Sequence, residues 1–327
     1  MADSKTFSGF PVQNFSSDQT SVGQIYYNST SGTFKGVLLG GMPIGTWSSG
    51  GNLNTGRKDA AGFGEGHTAA IAAGGYSGGG ATGAQVESYN GTAWSETTEM
   101  TTQRGWTCSG AGTTAAGLIF AGQPLPPAGG QLTATEEWGG SSWTNGGNLN
   151  QGRSMVGGAG TQTAGLCYGG LTPSKTVNTE EYDGSSWTEV NNLPTASAAV
   201  ASSRGSAQTN AFSAGSTPVT TSVYLYDGTN WTAGPSLNTA RGNAGGAGTS
   251  SLGIVAGGPG AIAKTEGFDG TSWTELSDLA TGRTAMGTGG TSSTNALLFG
   301  GENPPGYLTA TEEWAAADIQ VKTLTTS

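Results

Sequence analysis

Thr179-Glu180-Glu181-Tyr182-Asp183-Gly184-Ser185-Ser186-Trp187 is the stretch on which the fold of this chain turns. A short strand-like run reaches Asp-Gly, and a second run opens at Trp187; Asp-Gly between two such runs is a strong hairpin signal. The unit recurs. Tryptophans stand at Trp47, Trp94, Trp143, Trp187, Trp231 and Trp273, with successive spacings of 47, 49, 44, 44 and 42 residues. Periods of this size mean that one unit cannot bury its own apolar face and must stack on its neighbours.

Each tryptophan brings the same companions. Ten positions after it stands an arginine in five of six cases: Arg57, Arg104, Arg153, Arg241 and Arg283. Seven positions before the next one stands a glutamate, Glu87, Glu136, Glu180 or Glu266, and Glu312 with Trp314 completes the series. Five positions before each tryptophan from Trp94 onward is an aromatic: Tyr89, Trp138, Tyr182, Tyr226 and Phe268.

The unit reads as four short strands. A small-residue strand ends in a Gly-rich turn, as in Gly157-Gly158-Ala159-Gly160, where the lack of Cβ permits positive φ. An apolar run follows, Ala164 to Tyr168, closed by Gly169-Gly170; then come a variable loop, the Thr179–Tyr182 strand and the Trp187 strand. Four strands per ~40–50 residues is a propeller blade.

The glycine doublets Gly74-Gly75, Gly169-Gly170, Gly257-Gly258 and Gly300-Gly301, the turn Tyr182-Asp183-Gly184 and the spaced Trp187 resemble the kelch family of β-propellers over roughly residues 41 to 315. The resemblance implies an all-β, six-bladed kelch-type propeller of four-stranded antiparallel blades. It says little about function, because a fold hosts many. Trp47 precedes every arginine-to-glutamate module, so its strand is expected to complete the sixth blade beside Thr311-Glu312-Glu313-Trp314. Closure of that kind removes the two edges of an open array. The organisation expected is an N-terminal attachment arm with a hairpin (1–40), the propeller (41–315) and a C-terminal tail (316–327).

The repeated charges look catalytic until the repeats are compared. In the fourth module Ser197 replaces the arginine and Tyr224 replaces the glutamate, so the two are lost together. Joint loss points to structural partners: Arg57 with Glu87, Arg104 with Glu136, Arg153 with Glu180, Arg241 with Glu266, and Arg283 with Glu312. Each arginine precedes strand one and each glutamate opens strand three, at the same end of the blade. A charge-assisted, bidentate bond across the side-chain-free glycines is expected.

Glycine supplies 60 of 327 residues and charged residues only 10%, which lets inner strands crowd a narrow axis while Thr, Ser and Asn solvate the rim. The net charge of −10 argues against nucleic acid, which needs clustered Lys and Arg. Arg204 and the six scattered lysines make no patch. No 18-residue apolar stretch and no leader are read, so neither membrane insertion nor export is expected. Cys108 and Cys167 lie at different strand positions and read as buried hydrophobes. The single histidine, His67, gives no metal-ligand spacing and argues against the two-histidine copper chemistry of galactose-oxidase-like kelch propellers. No metal, no cofactor and no catalysis are expected. Gly62-Phe63-Gly64-Glu65-Gly66 resembles a phosphate-cradling loop, but no Lys-Ser/Thr follows, and it reads as a turn. Asp183-Gly184-Ser185-Ser186-Trp187 resembles a sialidase Asp-box without its spacer and sits where a hairpin turn is required.

The ends carry more about function. Gly23 to Lys35 reads as strand, polar turn and strand, and resembles a segment near attachment regions of bacteriophage tail fibres and other virion proteins. With the Gly/Ser/Thr/Ala-rich propeller, it resembles the kelch-like structural proteins of tailed phages, of marine or cyanophage type. That resemblance implies a non-enzymatic virion component, assembled in the host cytoplasm and oligomeric within a particle. Its arm would dock on other virion proteins, and its loop face would meet a host receptor or glycan. The alternatives are a carbohydrate-binding or glycan-processing propeller and a cellular kelch adaptor. The loops between strands two and three vary most and are expected on one face. Pro126, Pro127 and Pro305 stiffen two of them, Tyr76 and Tyr307 are candidate stacking residues, and Trp106, outside the repeat pattern, reads as a binding candidate or extra core.

Overall fold

A computed structural model describes residues 5–7, 10–17, 24–39, 45–78, 83–106, 108–125, 129–205, 207–316 and 319–323. Every regular element among them is a strand. They form repeated four-stranded antiparallel sheets, a β-propeller-type architecture. Sheet I is Ala61–Gly66, Ala69–Ala73, Val86–Tyr89 and Trp94–Glu96. Sheet II is Ser109–Gly112, Gly117–Phe120, Thr135–Trp138 and Trp143–Asn145. Sheet III is Gly157–Thr161, Ala164–Tyr168, Thr179–Tyr182 and Trp187–Val190. Sheet IV is Ala201–Ser202, Ala211–Ala214, Val223–Tyr226 and Trp231–Ala233. Sheet V is Gly245–Gly248, Gly253–Ala256, Thr265–Phe268 and Trp273–Glu275. Sheet VI is Gly287–Gly289, Leu297–Phe299, Thr311–Ala316 and, from the other end of the chain, Gly45–Ser49. Trp47 there pairs directly with Trp314.

The quoted stretch folds as a hairpin whose loop is four residues, Asp183 to Ser186, because Tyr182 pairs with Trp187. Asp183 Oδ1 accepts from the backbone N of Ser185 and Ser186, both at 2.8 Å, and Gly184 takes φ 92°. Those donors hold the Asp183 carboxyl down at about 2. The Gly-rich stretches read as turns are instead strand: Gly62–Gly66 lies in the first strand of sheet I, with a register shift between Gly64 and Gly66, and Gly157–Gly160 lies in the first strand of sheet III. Their glycines answer crowding between sheets. A Cβ on Gly62 would lie 2.1 Å from Thr288 O, and one on Gly158 would lie 2.5 Å from Ser109 Oγ.

The core is a series of layers between sheets. Trp187 lies beside its cross-strand partner Tyr182 at 5.0 Å with the rings tilted by 36° and meets Phe120 of sheet II edge-on at 4.9 Å. Its Nε1 donates to Thr135 Oγ1 of sheet II at 2.9 Å, so the indole is buried without stranding its donor. The same bond to the neighbouring sheet is made by Trp231 to Thr179, Trp47 to Thr265 and Trp94 to Thr311. First strands lie side by side in the order I, II, III, IV, V, VI, and VI lies beside I.

The two chain ends share a separate sheet. Ile25–Asn28 and Thr33–Leu39 pair antiparallel around a turn in which Asn28 Oδ1 accepts from Thr30 N and Ser31 N. Phe10–Phe15 adds in parallel on one side, and Ile319–Thr323 pairs with Thr33–Leu39 on the other.

Candidate binding face

The repeated arginine and glutamate build the base of one face. Arg153 Nη2 donates to Glu180 Oε1 at 2.5 Å, while Nη1 donates to Gly169 O of the doublet at 3.2 Å and to Asn178 O at 2.7 Å. Both side chains are buried. Arg57–Glu87, Arg104–Glu136, Arg241–Glu266 and Arg283–Glu312 repeat the pairing. The pairing is less fork-like than expected. Nη1 is held by carbonyls in every pair, and only Arg241 turns Nε as well as Nη2 to its carboxylate; Nε of Arg57 and Arg283 donates to Thr55 O and Thr281 O, and Nε of Arg104 and Arg153 has no partner among the described residues. The second carboxylate oxygen serves the loop instead: Glu180 Oε2 accepts from Asn150 N and Nδ2, as Glu87 does from Asn54 and Glu266 from Asn238. Burial pulls Arg57 and Arg283 below the usual arginine range against the opposing pull of Glu87 and Glu312.

Residues just after the arginine bridge to the residues that open the variable loops on this face. Lys58 pairs with Tyr76, Trp106 with Gln123, Ser154 with Leu171, and Thr284 with Glu302. One position further, Asp59, Ala285, Asn243, Ala199 and Met155 all take positive φ. They are chained by backbone bonds: Asp59 N to Ala285 O, Ala285 N to Asn243 O, Asn243 N to Ala199 O, and Ala199 N to Met155 O, at 2.7–2.9 Å. These residues rim a cavity of about 50 Å³ whose wall includes Ser202, Arg204 and Thr288. Burial pushes the Asp59 carboxyl up to about 7 against the pull of Lys58.

Three sheets converge on one aromatic cluster. Tyr76 from sheet I lies between Trp106, leading into sheet II, and Tyr307 in the last loop of sheet VI, with centroids at 6.3 and 5.7 Å and the Tyr307 contact edge-on. Lys58 Nζ sits 5.5 Å from the Tyr307 ring and 2.7 Å from Glu302 Oε2, a half-exposed ion pair beside the rings. Trp106 is 40% exposed, which corrects its reading as extra core. Arg104 to Gly110 is one residue longer than Arg57 to Gly62 although both glycines hold the same register, and the extra length carries Trp106 outward.

Tyr76, Trp106 and Tyr307 are therefore brought together; Pro305 is exposed on the same loop as Tyr307, and Pro126 and Pro127 lie outside the described residues. Cys108 and Cys167 are buried free thiols, both pushed up by burial. Among the described residues no group of three His, Cys, Asp or Glu could hold a metal ion. Sequence reasoning missed Lys58, Asp59, Glu302 and Arg204. It also missed a second staple: Tyr182 OH donates to Glu137, Tyr226 OH to Glu181 and Tyr89 OH to Glu313, each across to another sheet. Burial and the facing carboxylate push Tyr89 and Tyr182 up to about 12.

No protein-family model matches the chain, and none of the curated proteins does. Solved structures do match. The structure of YjhT aligns over 83% of this chain and 99% of that one, with a TM-score of 0.66 and 12% identity. At that identity the likeness shows the fold alone, a β-propeller-type chain with repeated four-stranded sheets.

Proposed function

We propose that this chain is a six-bladed kelch-type propeller, closed by the Trp47 strand, that serves as a non-enzymatic binding platform on a bacteriophage virion. The observation that carries the binding role is the convergence of Tyr76, Trp106 and Tyr307 from three sheets onto the loop face. One exposed and two half-buried aromatics beside a polar rim match the composition of a recognition surface. Support for closure comes from the pairing of Trp47 with Trp314 and from the side-by-side first strands of sheets VI and I. The recurring charges are held in buried pairs, which supports a structural use of them. The arm resembling virion attachment segments forms a sheet with the C-terminal strand, which supports treating both ends as one docking unit.

The test is immunogold electron microscopy on phage particles from the source culture, joined to adsorption of the labelled protein to host cells. Labelled particles, and adsorption lost at least tenfold in the Tyr76→Ala/Trp106→Ala/Tyr307→Ala variant, are expected. Unlabelled particles with accessible antigen would overturn the virion assignment. The Lys58–Glu302 pair beside the rings favours a second reading, a carbohydrate-binding propeller, since saccharide sites join aromatic faces to a few polar groups. A glycan-array signal lost in the same variant, without particle labelling, would support that reading instead.

A further inference from the structure

Five arginines are committed to carboxylates; Arg204 pairs with none among the described residues. Its position in the repeat is unusual. The equivalent residue in the other sheets is Gly64, Gly112, Gly160, Gly248 or Gly290, each at φ between 99° and 127°. Arg204 occupies that place at φ 52°, where a side chain strains the backbone. Strain of this kind at a single repeat calls for a compensating use of the side chain.

The structure shows where the side chain goes. Arg204 forms a parallel bridge with Gly248 of sheet V, and the adjoining Gly205 O accepts from Gly160 N of sheet III at 2.7 Å. Nη1 crosses to Gly62 O of sheet I and Gly110 O of sheet II, both at 3.0 Å. Nη2 makes no hydrogen bond among the described residues, and Nε is buried without a partner. Burial draws the guanidinium below the usual arginine range, but an arginine stays charged. Arg204 is half-buried: Nη2 reaches accessible space, and the buried Nε is the donor left unmet, which is costly unless an anion or water meets it.

We propose that Arg204 makes the axial cavity a binding site for a small carboxylate. The cavity of about 50 Å³ has room for such a group, and Ser202, Thr288 and Asn243 on its wall can donate to the oxygens left free by the guanidinium. A planar guanidinium matches a carboxylate better than it matches a spherical ion. Asp59, also on the cavity wall, opposes a bound carboxylate by like charge.

Acetate is the probe, titrated into the full chain at pH 8 and constant ionic strength, with heat of binding and thermal midpoint read together. A saturable response larger than that of equimolar chloride is expected. Arg204→Gly, which installs the residue of the other five repeats, should fold and weaken acetate binding at least tenfold. Asp59→Asn, tolerant of the left-handed backbone, should tighten it several-fold and keeps the test open if the first variant does not fold. An unchanged acetate response in Arg204→Gly, an equal response to chloride, no saturable response in the parent chain, or no tightening in Asp59→Asn would overturn the assignment.

Discussion

The Arg153 guanidinium ties together the glycine doublet, the end of a variable loop and Glu180, all within sheet III. Removing either partner alone strands a buried charge, so Arg153→Met and Glu180→Met should each cost about 3–5 kcal/mol. The double variant should cost less than the sum, with a coupling on the order of 1–3 kcal/mol in urea unfolding. Sheet IV shows that a neutral replacement is tolerated, because Ser197 there turns its hydroxyl to Thr195 O at 3.1 Å and no carboxylate is left behind. Additive losses, with no coupling, would show that the two side chains do not act as a pair.

At the scale of the element, the strand Gly45–Ser49 has a task that the arm before it lacks. It covers the outer edge of Thr311–Ala316 and sets Trp47 against Trp314 at 5.3 Å. A chain lacking residues 1–40 should lose only the far-ultraviolet strand signal of the terminal sheet and melt within about 4 °C of the parent, a change of roughly 1 kcal/mol. A chain lacking residues 1–50 exposes an unpaired edge and should aggregate or fail to fold, read by gel filtration and circular dichroism. Global unfolding of the shorter truncation would move the boundary of the folded unit toward the N-terminus.

Across the whole molecule, the tyrosine–carboxylate staple tests whether the ring is closed. Tyr182 reaches Glu137 in the preceding sheet, while Tyr89 in sheet I reaches Glu313 in sheet VI, from opposite ends of the sequence. Loss of a hydrogen bond to a charged group costs about 1.5–3 kcal/mol. In a closed ring Tyr89→Phe and Tyr182→Phe should lower the urea midpoint by similar amounts. A near-silent Tyr89→Phe beside a costly Tyr182→Phe would mean that sheets I and VI do not form a stabilising seam.

What the sequence determined by itself is what recurs in it. Trp187 and its counterparts, the Asp-Gly turns and the joint absence of arginine and glutamate at Ser197 and Tyr224 are local or periodic, so they specify four strands, a stacked array and a charge pair. More was present than was read. Leu53, Met100, Leu149, Leu193, Leu237 and Leu279 stand six residues after each tryptophan and are all buried. Tyr89, Tyr182 and Tyr226 face Glu313, Glu137 and Glu181, whereas Trp138, Phe268 and Trp314 stand opposite Ser88, Leu225 and Gly267, a pattern that appears only when the last repeat is placed before the first. Only the tertiary structure brought Tyr76, Trp106 and Tyr307 together and carried Arg204 from sheet IV to the carbonyls of sheets I and II. These contacts join residues that occur once each, as far apart as Tyr76 and Tyr307, 231 positions along the chain, and no period in a chain encodes a meeting between its exceptions.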